Sequence, residues 1–285
     1  MTVALERIRT LRQQSGQGAH VVQPLRAPAP SPTPPRPASQ TVEDLRRLLR
    51  VRAPERIAPA ATHVDRTLPG DEIAPGLRLI ETVLPYDPLP QTLCGAFDRR
   101  VEAIATDDVL FFDTETTGLA GGTGTRAFMI GTAQWRGDGL HVRQWLMTTL
   151  GAERDLLTAF ADTLHRNTVL ASYNGKSYDA PLLATRFRLA RLPNPLAGLD
   201  HIDLLYPTRR RYKGRWENCR LATIERQVLG IVREDDLPGS EAPAAWLSFL
   251  RGGSARNLCR VADHNRQDLA SLGGLLVQHA CGDAT

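Results

Sequence analysis

The stretch Val109-Leu-Phe-Phe-Asp113-Thr-Glu115-Thr-Thr-Gly118 decides the fold. Its first four residues form a short apolar run of Val, Leu and Phe, the composition of a buried strand, and the run ends in polar residues. Side chains alternate faces along a strand, so Asp113 and Glu115 project to the same side. Two carboxylates delivered together by an apolar strand are unfavourable unless a cation neutralises them, because close like charges force one of them to take up a proton. A divalent metal is the natural neutraliser. Hard cations such as Mg²⁺ take oxygen ligands and are held by a few carboxylates plus substrate phosphate.

Downstream, a segment with Gly118, Gly121, Gly122 and Gly124 leads to AFMIGTAQW (127–135), the turn Arg136-Gly137-Asp138-Gly139, and LHVRQWLM (140–147). This pattern predicts three strands joined antiparallel. Residues 151–166 then place Leu156, Leu157, Phe160 and Leu164 on one helical face. TVLAS (168–172) reads as a fourth strand, residues 177–191 as a helix turning Leu182, Leu183 and Phe187 inward, and residues 199–203 as a fifth strand. Residues 220–230 read as a helix stopped by Gly230, residues 243–250 as a short helix, and residues 255–280 as a long final helix. Three antiparallel strands followed by alternating helix and strand define an α/β mixed sheet flanked by helices.

Two further clusters carry chemistry. In Tyr173-Asn174-Gly175-Lys176-Ser177-Tyr178-Asp179 a strand runs into a helix, and Asp179 falls in the first turn, where the helix dipole favours an acid. In the last helix His264 and Asp268 are four residues apart and share one face, an imidazole beside a carboxylate.

Upstream, residues 24–37 hold seven of the chain's twenty prolines, a composition that favours extended polyproline II and cannot bury a core. After it, Thr41 reads as the N-cap of a short helix near 42–52 that carries Arg46, Arg47, Arg50 and Arg52. Residues 1–56 hold ten Arg against four acids, so the basicity of the chain, +4 overall, belongs to this N-terminal part. Residues 55–105 give no strong period. The sequence places a proline-rich, largely disordered basic region at 1–84, which is a candidate for binding a protein partner, and a folded domain at 85–285. No apolar run approaches the roughly 20 residues of a membrane span. Cys94, Cys219, Cys259 and Cys281 lack metal or disulfide spacing and read as reduced, cytosolic thiols, so a cytoplasmic location without membrane attachment is expected.

FFDTETTG (111–118), YNGKSYD (173–179) and HNRQD (264–268) resemble, in order, the three motifs of the DEDD superfamily, the DnaQ-like 3'-5' exonucleases of ribonuclease H-like fold. The stretch 109–278 is also similar to a smaller YprB-like bacterial group, which shares GGTGTRAFMIG (121–131), HIDLLYPTRR (201–210) and the Leu237-Pro238-Gly239 segment. The resemblance implies a ribonuclease H-like domain, a substrate of single-stranded DNA or RNA 3' ends, and release of nucleoside 5'-monophosphates. It implies two divalent cations, Mg²⁺ or Mn²⁺, on Asp113, Glu115, Asp179 and Asp268. Asp113 would bridge, Glu115 and Asp268 would complete one metal's shell, and Asp179 would hold the other. His264 would be the general base. The histidine of such proteins usually lies five residues before the last Asp, whereas here it lies four before and Asp263 occupies the fifth position.

The resemblance further points to Thr116, Thr117, Gly118 and Leu119 as main-chain and side-chain contacts to the terminal nucleotide. Asn174 and Tyr178 are candidates to line the pocket, since a base can stack on an aromatic ring. Arg209-Arg210-Arg211-Tyr212-Lys213-Gly214-Arg215-Trp216 is a basic run interleaved with aromatics, and Arg210, Arg211 and Lys213 are candidates to track a phosphate backbone. Asp203 reads as an orienting or capping acid and His201 as structural. Two other readings stay open: a nucleic-acid-binding pseudoenzyme, and a structure-selective endonuclease on the same fold.

Overall fold

The computed structural model describes residues 64–118 and 123–282. The predicted helix near 42–52, the proline-rich region and Leu119 therefore lie outside the described residues. Among the described residues seven strands form the main sheet: β1 (Asp71–Ala74), β2 (Leu77–Leu84), β5 (Val109–Thr116), β6 (Ala127–Arg136), β7 (Gly139–Met147), β8 (Val169–Ser172) and β9 (Asp200–Asp203). A separate two-stranded ladder is made by β3 (Thr92–Leu93) and β4 (Ile104–Ala105). The main sheet runs in the order β1-β2-β7-β6-β5-β8-β9. The β5, β6 and β7 segments are an antiparallel meander, and β8 and β9 pair parallel beyond β5.

The helices are α1 (Glu153–Ala161), α2 (Asp179–Leu189), α3 (Leu205–Tyr212), α4 (Leu221–Ile224), α5 (Ala242–Leu250) and α6 (Arg256–Cys281). Residues 225–229 continue α4 as one wide π turn that ends at Gly230, whose φ of 69° only glycine adopts readily. The predicted elements from residue 109 onward all form, with ends shifted by a few residues. Among the described residues no helix is long and apolar enough to cross a membrane.

The boundary read from sequence at 84/85 needs correction. Strands β1 and β2 belong to the same sheet, and β2 pairs with β7 from Leu77 opposite Met147 to Leu84 opposite Leu140. Leu77 and Ile80 are buried in the same core as Phe128, Phe160 and Trp246. LRLIETVL shows no strict alternation, its buried Leu77 and Ile80 lying on opposite faces of β2, and the flanking prolines and glycines add no period. The side chains it buries meet partners some 60 residues away, which no local period reports.

The core lies on both faces of the sheet because β5 is buried on both, with Phe111 and Phe112 fully inaccessible. Phe112 packs toward α1 and α5, while Phe111 packs with Trp135 and the apolar stripe of α6, Leu269, Leu272 and Leu276. Strand β5 is longer than its parallel neighbour. Its last pairing with β8 is Phe111 opposite Ala171, so Asp113 to Thr116 run on beyond that ladder. The overhang leaves room at the carboxyl ends of the parallel strands, where ligands bind in open α/β sheets.

Candidate active site

The overhang carries Asp113 and Glu115, and α6 crosses it closely. A Cβ at Gly131, directly opposite Asp113 in the sheet, would lie 2.1 Å from Asn265 Oδ1 and 2.8 Å from Leu269, so only glycine permits this approach. Asn265 is fully buried and donates to Asp113 Oδ2 at 2.8 Å. Its own Oδ1 accepts from Gln144 at 2.9 Å, and Gln144 also donates to the Ala262 carbonyl at 2.7 Å. Asp113 is thus held by a buried amide chain reaching from β7 through α6.

Asp179 opens α2, and the loop before it is shaped by a second buried acid. Asp203 is wholly inaccessible and accepts from the backbone N–H groups of Asn174 (2.7 Å), Lys176 (3.1 Å) and Leu205 (3.1 Å). This satisfies it and bends the loop, in which Asn174 adopts a φ of 66°. At Gly175 a Cβ would meet Ser172 Oγ at 2.4 Å and Asp179 Oδ2 at 3.3 Å. Asp179 receives a hydrogen bond from the Thr114 hydroxyl, so β5 and α2 are tied at the site. His201 donates to or accepts from Ser172 at 2.8 Å, lies against Phe112, and is pushed down to about 4 by burial, as a structural histidine should be.

The four acids feel one another. Burial first, then the charges of Asp268, Asp179 and Glu115, pushes the Asp113 carboxyl well above its ordinary value. Glu115 is raised for the same reasons, burial leading, with Asp268 and Asp179 next. Asp179 is raised to about 6, mainly by burial and against the stabilising Thr114 bond. Asp268 is raised by burial, while His264 and Arg233 pull it back. Among the described residues no three His, Cys, Asp or Glu side chains already form a closed metal-binding group. The chemistry of the donor set nonetheless fits divalent metal: four hard carboxylates gathered at a largely buried spot, all raised although Arg233 pairs with Asp268.

Sequence reasoning missed the groups around the third cluster. Arg233 donates to Glu225 at 2.8 Å (Nε) and 2.5 Å (Nη2), and its Nη2 also reaches Asp268 Oδ1. Asp236 Oδ1 lies 2.7 Å from His264 Nδ1, and His264 Nε2 lies 3.6 Å from Asp268 Oδ2. Asp263, at the fifth position before Asp268, pairs with Arg266 at 2.9 Å and is exposed, so it takes no part in this group. Asn265 had a sequence signal: it continues the buried stripe Leu269, Leu272, Leu276 as the one polar member. Arg233 and Asp236 sit in an irregular segment and had none.

The other candidates divide. Thr116 and Thr117 are tied locally, Thr116 Oγ1 to the Gly118 carbonyl (2.9 Å) and Thr117 to Arg126, and Tyr178 donates its hydroxyl to the same Gly118 carbonyl at 2.9 Å. These four residues therefore form one wall beside the acids, with Asn174 exposed at the loop tip. Arg210 and Arg211 are placed elsewhere: Arg210 donates to the Phe97 carbonyl, and Arg211 to the Gln278 carbonyl at 3.5 Å. Lys213 is exposed just past α3.

A sheet in which three antiparallel strands are followed by two parallel ones, with carboxylates at the end of the central strand, the start of a flanking helix and the middle of the last helix, is a ribonuclease H-like domain. The chain belongs to the RNase_H superfamily, whose sequence model matches residues 110–279. It is 38% identical over 173 residues to a protein of Bacillus subtilis (strain 168) named "Uncharacterized protein YprB", a match covering 60% of this chain and 41% of that one. The chain thus spans less than half the length of that relative. Partial likenesses in shape reach a family B DNA polymerase from the hyperthermophilic archaeon Pyrobaculum calidifontis (16% identity, 61% of this chain and 27% of that chain, TM-score 0.48). They also reach a product-bound exonuclease I (17% identity, 54% and 45%, TM-score 0.34).

Proposed function

We propose that the domain is a metal-dependent nuclease that hydrolyses phosphodiester bonds from the 3' end of single-stranded nucleic acid, releasing nucleoside 5'-monophosphates. The observation that carries this reading is the convergence of four carboxylates from β5, α2 and α6, Glu115 and Asp179 buried and Asp113 and Asp268 partly buried, each raised above its ordinary value. A protein keeps such a charge cluster where a cation and a phosphate are to be bound. The 3'-5' direction rests on the order and content of the three motifs.

Asp113, Glu115, Asp179 and Asp268 would hold two Mg²⁺ or Mn²⁺ ions, which when bound supply charge stabilisation for an in-line displacement. Asn265 fixes the Asp113 carboxylate and Thr114 fixes Asp179, so two of the four ligands are oriented before anything binds. His264 presents Nε2 beside Asp268 and accepts the proton of the attacking water. The wall of Thr116, Thr117, Gly118 and Tyr178 receives the terminal nucleotide.

One observation favours a second reading, a nucleic-acid-binding protein without hydrolysis: Arg233 already neutralises Asp268. The test is degradation of 5'-labelled single-stranded DNA and RNA by the purified chain with Mg²⁺ or Mn²⁺. Shortening from the 3' end that vanishes in Asp113→Ala supports the exonuclease. Retained binding without cleavage supports the second reading, and internal cuts would mark an endonuclease.

A further inference from the structure

The segment from Ile231 to Gly239 lies against α6 and no element of the proposed reaction accounts for it. Its backbone is pinned by Arg260, which donates to the carbonyls of Asp235 at 2.9 Å and Asp236 at 3.3 Å. Pinned in this way, Asp236 turns Oδ1 to within 2.7 Å of His264 Nδ1. Arg233 approaches the same nitrogen at 3.1 Å and Asp236 Oδ2 at 3.4 Å.

These contacts decide where the imidazole proton sits. If Nδ1 carried a lone pair, Arg233 could donate to it, but the Asp236 carboxylate oxygen would then face that lone pair at 2.7 Å, a repulsion. If Nδ1 carries the proton, it is donated to Asp236 at good length, and Arg233 keeps Asp236 Oδ2 and Glu225 as acceptors. The second arrangement gives the shortest contact, Nδ1 to Asp236, a donor and an acceptor, while Arg233 Nη1, 3.1 Å from Nδ1, directs its hydrogens to Asp236 Oδ2 instead. It leaves Nε2 bare, on the side of Asp268. Glu225, buried and further bonded by the Ser271 hydroxyl, fixes the guanidinium from behind.

The geometry points to Asp236 as the positioning residue that sets the tautomer of His264, with the Glu225–Arg233 pair holding Asp236 and Asp268 on either side. This rests on the reading of His264 as proton acceptor. It also accounts for a histidine four residues before the last Asp: the imidazole is held from an irregular segment outside α6.

The experiment uses the full chain, metal-free, labelled with ¹⁵N-histidine and observed by long-range proton–nitrogen NMR at alkaline pH; His264→Gln identifies the signal. The expected wild-type signal is the Nδ1–H tautomer. Asp236 is partly exposed, so Asp236→Asn should fold, and its amide can donate to Nδ1 and turn the population to Nε2–H. In the same variant kcat should fall by about 100-fold, with the oligonucleotide KM within about 3-fold, and Asp236→Glu should recover much of the rate. A wild-type Nε2–H tautomer, or a tautomer unmoved in Asp236→Asn, overturns the assignment. Because the tautomer is read without metal or substrate, a shift seen in a chain that hydrolyses nothing would support the positioning role while sinking the nuclease reading.

Discussion

Near the middle of α6, His264 and Asp268 face Asp113, Glu115 and Asp179; ten residues further along the same helix, about 15 Å at 1.5 Å per residue, Gln278 and His279 meet α3. Sequence marks both places as nucleic-acid contacts. Physically they differ. The first place gathers like charges that raise one another, a cost that Arg233 beside Asp268 offsets only in part. At the basic end the charges are accommodated: Arg210 and Arg211 bond backbone carbonyls, and Arg211 and Arg215 lie over the Tyr212 ring at 5.4 and 5.7 Å. His279 stacks on Phe97 and contacts the Thr208 hydroxyl at 3.0 Å. The two places thus differ in how the fold holds their charges: carboxylates set against one another at the first, guanidiniums bonded to backbone carbonyls and an aromatic face at the second.

The largest effect that would break this contrast lies at Asp113. Asp113→Asn should lower metal-dependent hydrolysis by at least about 100-fold, whereas Arg210→Ala with Arg211→Ala should change it by no more than about 3-fold, measured as rates on the same labelled oligonucleotide. Equal losses from both would erase the distinction. Next comes Gly131→Ala, whose Cβ collides with Asn265: thermal unfolding should show a loss of roughly 1–3 kcal/mol, accompanied by weaker Mn²⁺ binding in calorimetry because Asp113 loses its anchor. Unchanged metal binding would mean that the amide chain does not matter to the acids.

A smaller effect tests the electrostatic cost itself. A carboxyl whose pKa is raised on folding stabilises the protonated folded state; for Asp179 that stability is fully present below about pH 4 and is lost as pH rises through about 6. The metal-free chain should therefore melt at higher temperature at pH 5 than at pH 7, and Asp179→Asn should flatten that dependence. A metal-free melting temperature that rises over this interval would show that the acids are already compensated. The smallest effect is at Arg215→Ala, where loss of an exposed ring contact should change stability by less than about 1 kcal/mol in denaturant unfolding.

Much of the domain is legible because its signals are local. VLFF, TVLAS and the stripe of α6 announce their elements within a few residues, and Asp113, Glu115, Asp179, His264 and Asp268 stand out by type and spacing. What escaped is non-local. Gln144 meets Asn265 across 121 residues, and Gly131 is needed only because α6 crosses it. Arg233 and Asp236 matter through partners some 30 residues on, from a segment with no period of its own. In the basic run, likewise, which backbone carbonyl each arginine meets is a tertiary fact.

The pairing of β2 with β7 also determines where the sheet stops among the described residues. Without β2, the nine residues of β7, almost all buried, would form an edge whose open N–H and C=O groups invite another strand. With it, the edge passes to β1, four residues long and carrying Asp71 and Glu72, short and charged enough to discourage pairing. A chain begun at residue 85 would keep every acid of the site and yet tend to self-associate through β7, whereas one begun at residue 64 would keep that edge covered.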